Sequence, residues 1–236
     1  MRVESGTTTG PGVVITDEAA SESGAAGAFA GTANAMNFAG SIGTFSLVVT
    51  TGTSTPFLAA PGFYEAIDLS NISITAAGAG TLRIILERTD FGSLTPDGLL
   101  EFRSEVGGVL TAAAGSSITF NSYADDANAV PDLGADVNPV GALASVTGIG
   151  AGSPASITQS FGPGAFSGAN GVDFSKSGTY SIYTVVTITF TSAGSVSFNQ
   201  IVGTAPAPGG LVLALTAVPG LALGYWRRLR RRAMDA

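Results

Sequence analysis

The sequence predicts an all-β protein, an antiparallel β-sandwich of jelly-roll-like kind, followed by a separate C-terminal transmembrane helix. Three observations predict it. Between residues 37 and 203, runs rich in Thr, Val, Ile and Phe alternate apolar and polar residues with period two. Turn formers break those runs, drawn from 33 glycines and 11 prolines in 236 residues. Residues 209–226 carry no charge and run directly into five arginines.

Residues 1–36 read as a weakly structured segment. Met1–Gly12 has no apolar run, Val13-Val14-Ile15 is the first, and Ala19–Ala35 is rich in Ala, Gly and Ser. An export leader needs an apolar run of about seven to fifteen residues. A leader encoded in frame upstream of Met1 is therefore expected. Strands follow near 13–16, 37–50, 66–75, 80–88, 99–105, 109–112, 117–123, 155–160, 179–190 and 195–202. Phe45, Leu47 and Val49 share one parity, as do Leu82, Ile84 and Leu86, Ile118 and Phe120, and Val186, Ile188 and Phe190. These side chains are expected in one core, with Arg83, Glu87 and Thr187 on the wet face. Val196, Phe198 and Val202 also share a parity, with Gln200 between them. Thr55-Pro56, Pro61-Gly62, Pro96-Asp97-Gly98 and Gly107-Gly108 are read as breaks. Residues 139–178 are Gly- and Ser-rich and are read as long surface connections. The ectodomain is thus 37–203. No fixed-period repeat supports a β-helix instead.

The chain has neither cysteine nor histidine. This excludes disulfides, Cys-ligated zinc and iron–sulfur sites, thiol nucleophiles and the Ser-His-Asp triad. Sixteen of the seventeen acidic residues precede residue 227, against five of the ten basic ones. So acidic a body repels phosphate backbones, and nucleic acid is not an expected partner.

The loop from Tyr123 to Asn138 supplies Asp125, Asp126, Asn128, Asp132 and Asp136, oxygen donors of the kind calcium takes. The EF-hand spacing fails, because Val130 occupies a ligand position and no glutamate closes the loop. The competing reading is a solvated turn, and no other cofactor is expected. Glu87, Asp90, Glu101 and Glu105 would make a glycosidase pair if the fold converged two of them. The competing reading is a wet strand face shared with Arg83, Arg88 and Arg103. Lys176, between two serines, reads as exposed in a turn rather than as part of a Ser-Lys dyad. Phe57, Phe63, Tyr64, Phe91, Phe161 and Phe166 are candidates for a sugar-stacking platform or, more simply, for core and edge packing.

Residues 209–226 form an eighteen-residue uncharged run that spans about 27 Å as a helix, near the thickness of a bilayer core. Tyr225 and Trp226 close it, and Arg227, Arg228, Arg230, Arg231 and Arg232 act as a stop that holds the tail in the cytoplasm. Ahead of it, residues 204–208 form a linker containing Pro206-Ala207-Pro208. This three-part order, a Pro-x-Pro motif, a Leu/Ala-rich helix and a basic tail (227–236), resembles the PEP-CTERM sorting signal of Gram-negative bacteria. Pro206 and Pro208 match the family's two prolines, and Ala207 stands where glutamate is usual. The resemblance implies an exosortase as partner, transient residence in the inner membrane, and delivery to the cell surface or extracellular matrix. Between residues 37 and 202 the chain is also similar in phrasing to a recurrent type of PEP-CTERM protein. The phrases are Thr50–Pro56, Asp68–Ile74, Gly80–Ile84, Thr89–Phe91, Tyr123 with Asp125-Asp126, and Gly164–Gly168 ahead of Tyr180–Tyr183. That resemblance implies a β-sandwich ectodomain. The expected function is a non-enzymatic structural or adhesive surface protein, with exopolysaccharide as a further partner. The alternative is a carbohydrate-binding module or glycosidase on the same anchor.

Overall fold

The computed structural model describes residues 2–5, 13–14, 38–49, 51–54, 62–92, 95, 97–128 and 155–206. They form thirteen strands: β1 (Arg2–Ser5), β2 (Val13–Val14), β3 (Phe38–Ile42), β4 (Phe45–Val49), β5 (Thr51–Ser54), β6 (Glu65–Ala76), β7 (Gly80–Phe91), β8 (Gly98–Thr111), β9 (Ser117–Asp125), β10 (Ala155–Phe161), β11 (Gly164–Lys176), β12 (Tyr180–Phe190) and β13 (Gly194–Ala205). Every pairing is antiparallel, in a six-stranded sheet ordered β10-β9-β12-β7-β1-β2 and a seven-stranded sheet ordered β11-β8-β13-β6-β4-β3, with β5 also on β6. The first compact unit ends at Ala205, two residues past the expected boundary.

The alternation works as the sequence predicts. Leu82, Ile84, Leu86, Ile118, Phe120, Val186, Ile188 and Phe190 lie in one buried cluster with Phe45, Leu47 and Val49. Phe120 is its hub, with ring centroids 5.3 Å from Phe198, 6.1 Å from Phe166 and 6.2 Å from Phe161. Phe91, Phe161 and Phe166 belong to this packing and not to a platform in solvent. Phe63 lies beneath the Arg103 guanidinium, and Phe57 is outside the described residues.

Four expectations are corrected. Residues 37–50 are a hairpin and not one strand. Gly43, at φ 60°, takes the first central position of a two-residue turn, where a mirror-image hairpin turn demands positive φ. Gly107-Gly108 does not break a strand, because β8 runs through it. A Cβ at Gly108 would lie 2.3 Å from the Ser197 carbonyl oxygen, so the glycine is there for close approach to β13. Residues 164–176 are strand and not connection, paired with β8 along all thirteen residues. Arg83 is buried, whereas Glu87 and Thr187 are half-exposed. Ile84-Ile85-Leu86 is a continuous apolar run, the pattern of a strand covered on both faces. Ile85 and its cross-strand partner Val185 are buried on the outward side, and Arg83 is buried with them.

Residues 1–36, read as weakly structured, contribute β1, which pairs β7, and β2. Among the described residues no helix is long and apolar enough to cross a membrane. The predicted helix 209–226, the five arginines, Ala207 and Pro208 lie outside them, and Pro206 is exposed.

Candidate functional site

A change of phase in β6 builds a polar concavity. Ile67 and Leu69 face the core, and so do Ile72, Ile74 and Ala76, so the alternation slips by one residue at Ser70-Asn71. The register against β13 slips at the same place, where Leu69 faces Gln200 and Ile72 faces Phe198. Ser70 and Asn71 therefore oppose Asn199 alone, as in a β-bulge. Asn71 accepts φ 52°, a conformation asparagine tolerates better than most residues, and its N–H donates to Asn199 Oδ1 at 2.6 Å.

The bulge opens a shallow groove of about 380 Å³ on the outward face of the seven-stranded sheet, lined by Asp68, Ser70, Glu105, Gly107, Asn199 and Ile201. Asp68 and Glu105 both register with Ile201, so they stand in one row two strand spacings apart, about 10 Å between backbones. Ser70 Oγ donates to Asp68 Oδ2 at 2.5 Å. Burial raises the Asp68 pKa above its ordinary value, and the Ser70 hydrogen bond opposes that shift in part. Arg103 Nη2 lies 2.6 Å from Glu105 Oε1, with its guanidinium carbon 5.9 Å from the Phe63 ring centroid. Carboxylates, an amide, a hydroxyl and a guanidinium share this face. Together they can accept from and donate to a ligand rich in hydroxyl groups. A larger open concavity of about 740 Å³ is lined by Thr, Ala, Ser and Gly and carries no ionisable side chain.

Beneath the groove the core is polar. Gln200 Nε2 donates to Ser122 Oγ at 2.9 Å and to Ser104 Oγ at 3.3 Å, while Gln200 Oε1 accepts from Thr184 at 3.1 Å. Ser104 donates on to Gln159 Oε1, and Ser122 pairs with Thr184. These five buried residues tie the two sheets together under the groove floor. A second network surrounds the buried Glu65. Its Oε2 accepts from Gly92 N at 2.8 Å, from the Thr95 hydroxyl and from Tyr180 Oη at 3.3 Å, and Tyr180 pairs with Thr204.

The sequence-predicted groups separate. Glu87 and Asp90 stand on β7 in the six-stranded sheet, whereas Glu101 and Glu105 stand on β8 in the other. Glu101 and Glu105 are four residues apart, about 13 Å along a strand, with Arg103 between them. None of these combinations is the close pair that glycoside hydrolysis uses. Lys176 corrects the reading of an exposed lysine: its side chain is 1% exposed, and Nζ donates to Asp97 Oδ1 at 3.0 Å and to the Gly178 carbonyl at 2.9 Å.

In the acidic loop, Asp125 is buried and its Oδ1 accepts from Ala127 N at 2.9 Å. Asn128 is engaged with Asp90, accepting from its backbone N–H and donating to its carboxylate, both at 2.8 Å. Asp126 is exposed, and Asp132 and Asp136 lie outside the described residues. Asp125 thus caps the turn after β9 and Asn128 ties that turn to Asp90 on β7; among the described residues there is no group of three or more acidic side chains that could hold a metal.

On the outward face of the other sheet Tyr123 and Tyr183 stack at 4.6 Å. Burial raises both phenol pKa values, and the Tyr183 hydroxyl is buried with no hydrogen-bond partner.

No family model and no curated protein matches the chain. Solved structures with a similar arrangement of strands include TmCBM61 in complex with β-1,4-galactotriose, at 6% identity and a TM-score of 0.30, covering 71% of this chain and 92% of that one. A family 11 carbohydrate-binding module from Clostridium thermocellum, in complex with a mixed-linked tetrasaccharide, is 12% identical at a TM-score of 0.29, covering 76% of this chain and 94% of that one. The C-terminal family 22 module of Clostridium thermocellum Xyn10B is 12% identical at a TM-score of 0.29, covering 72% and 90%. At these identities and TM-scores the likeness carries neither a fold assignment nor a ligand.

Proposed function

We propose that this chain is a surface or matrix protein whose β-sandwich is displayed outside the cytoplasm by its C-terminal segment, and that an exosortase-type enzyme processes it at Pro206-Ala207-Pro208. The observation that carries this reading is the uncharged run 209–226 followed at once by five arginines. Each arginine costs about 2.5–3.5 kcal/mol at the bilayer centre on insertion scales, so the basic end stays behind while the sandwich crosses. The end of β13 at Ala205 fits this reading, since Pro206 cannot donate to a ladder and begins the linker. The absence of native cysteine makes topology directly testable. A thiol introduced by Ala113→Cys in the sandwich should react with a membrane-impermeant maleimide on intact spheroplasts, and one introduced by Ala233→Cys should react only after lysis. The reverse pattern, or equal labelling of both, would refute the orientation.

The groove supports a second reading, in which the displayed sandwich binds polysaccharide. Its basis is the set of Asp68, Asn199 and Glu105 lining one open face. Retention of the full chain on immobilised acidic and neutral polysaccharides tests it. Asp68→Ala should abolish retention, and retention equal to that of the wild-type chain would remove the groove from consideration.

A further inference from the structure

The edges of the two sheets are unequal. β2, β3 and β10 are two, five and seven residues long, whereas β11 is thirteen and pairs β8 without a bulge. Folded proteins blunt such edges with short strands, prolines, bulges or charges. β11 has none of the first three. Of its two charges, Asp173 is exposed near one end and Lys176 is withdrawn into the ion pair with Asp97. Nine of its thirteen residues are exposed, including Val172, an apolar side chain on the parity that faces inward at Phe166 and Phe174. Among the described residues no strand lies on its far side.

We infer that the free edge of β11 pairs with β11 of a second copy of this chain, antiparallel about a two-fold axis at Asn170. The centre follows from the strand itself. Asn170 is the midpoint of Gly164–Lys176, so a two-fold there is the register in which all thirteen residues find partners. In that register Gly168 faces Val172 of the second copy, which covers the exposed valine with backbone. Ser167 faces Asp173, Ala165 faces Ser175, Phe166 faces Phe174, and Asn170 faces Asn170. No like charges meet, the condition that a self-pairing edge has to satisfy. The two seven-stranded sheets then form one continuous sheet, with the polar groove repeated on the same face.

The cysteine-free full chain, in membranes or detergent, tests both partner and register by disulfide trapping. Directly opposed strand residues lie about 4.5–5.5 Å apart at Cα, within disulfide range. Asn170→Cys should give a covalent dimer on non-reducing gels. Ser167→Cys and Asp173→Cys should each stay monomeric alone, since each lies opposite the other's position, and should form a heterodimer when mixed. All three positions are exposed, so the monomer fold is not at stake. Failure of Asn170→Cys to dimerise would overturn the inference. So would equal trapping of Ser167→Cys with itself, or trapping to a different protein.

Discussion

Replacing Gln200 by leucine isolates the polar network that joins the sheets beneath the groove. The two side chains are similar in size, so little cavity forms and the change reads mainly the lost hydrogen bonds. Three vanish: those to Ser122, to Ser104 and from Thr184. At about 1 kcal/mol net for each bond the loss is about 3 kcal/mol. The neighbours moderate it. Ser104 keeps its bond to Gln159, Ser122 can donate to Thr184, and Thr184 can turn its own proton to the Asn121 carbonyl at 3.4 Å, so no hydroxyl proton is stranded. The added burial of an apolar side chain offsets part of the rest. The expected net cost is about 2 kcal/mol, read in urea as a midpoint about 1 M lower with an unchanged slope, for a slope of about 2 kcal/mol/M. Removing the remaining network as well, with Ser104→Ala, Ser122→Ala, Thr184→Val and Gln159→Leu, should recover most of the loss, since partners replaced together leave nothing of the network unsatisfied. A Gln200→Leu protein as stable as wild type would refute the claim that this network contributes to stability. A multiple variant no better than the single one would refute the explanation by unsatisfied acceptors.

Tyr183→Phe should raise stability by about 1 kcal/mol in the same assay, because it deletes a buried hydroxyl with no partner. Asp68 has a raised pKa, so its ionised form opposes folding, and that cost appears as pH rises past the ordinary carboxylate value near 3.8. Asp68→Asn should therefore raise Tm at pH 7 and leave it unchanged at pH 3. Asp90 and Asp97 have lowered pKa values, Asp90 chiefly through Asn128 and Asp97 chiefly through the Gly178 N–H. Their contribution is full above pH 3.8 and is lost as pH falls through the lowered values, which acid unfolding of Asp97→Ala would show as a flattened profile. At neutral pH, Asp97→Ala should lower Tm more than Lys176→Met, because the first strands a buried ammonium and the second leaves an exposed carboxylate in water.

Local pattern and long-range pairing divide what the sequence makes legible. Leu82, Ile84, Ile188 and Phe190 announce their side of the sheet by alternation alone. Arg83 defeats that rule, although Ile84-Ile85-Leu86 beside it carries the signature of a doubly covered strand. The slip between Leu69 and Ile72 is likewise written in the chain, and reading it would have located the bulge. The groove itself is not, because Asp68, Glu105 and Ile201 meet only through pairings across about a hundred residues or more. β11 escapes because its glycines, alanines and serines carry little period-two signal, and its thirteen partners on β8 supply what its own residues do not. Lys176 is equally invisible, since its burial depends on Asp97, seventy-nine residues away.

Display by the C-terminal segment is the central claim, and fractionation tests it most directly. Full-length chain and chain lacking residues 205–236 should be expressed, with an export leader, in a Gram-negative host that has an exosortase and in one that lacks it. The account predicts that the full-length chain is held in the inner membrane without the enzyme and reaches the surface or medium, shortened at its C-terminus, with it. The truncated chain should be freely soluble outside the inner membrane in both hosts. Identical fractionation of the two chains in both hosts would contradict it.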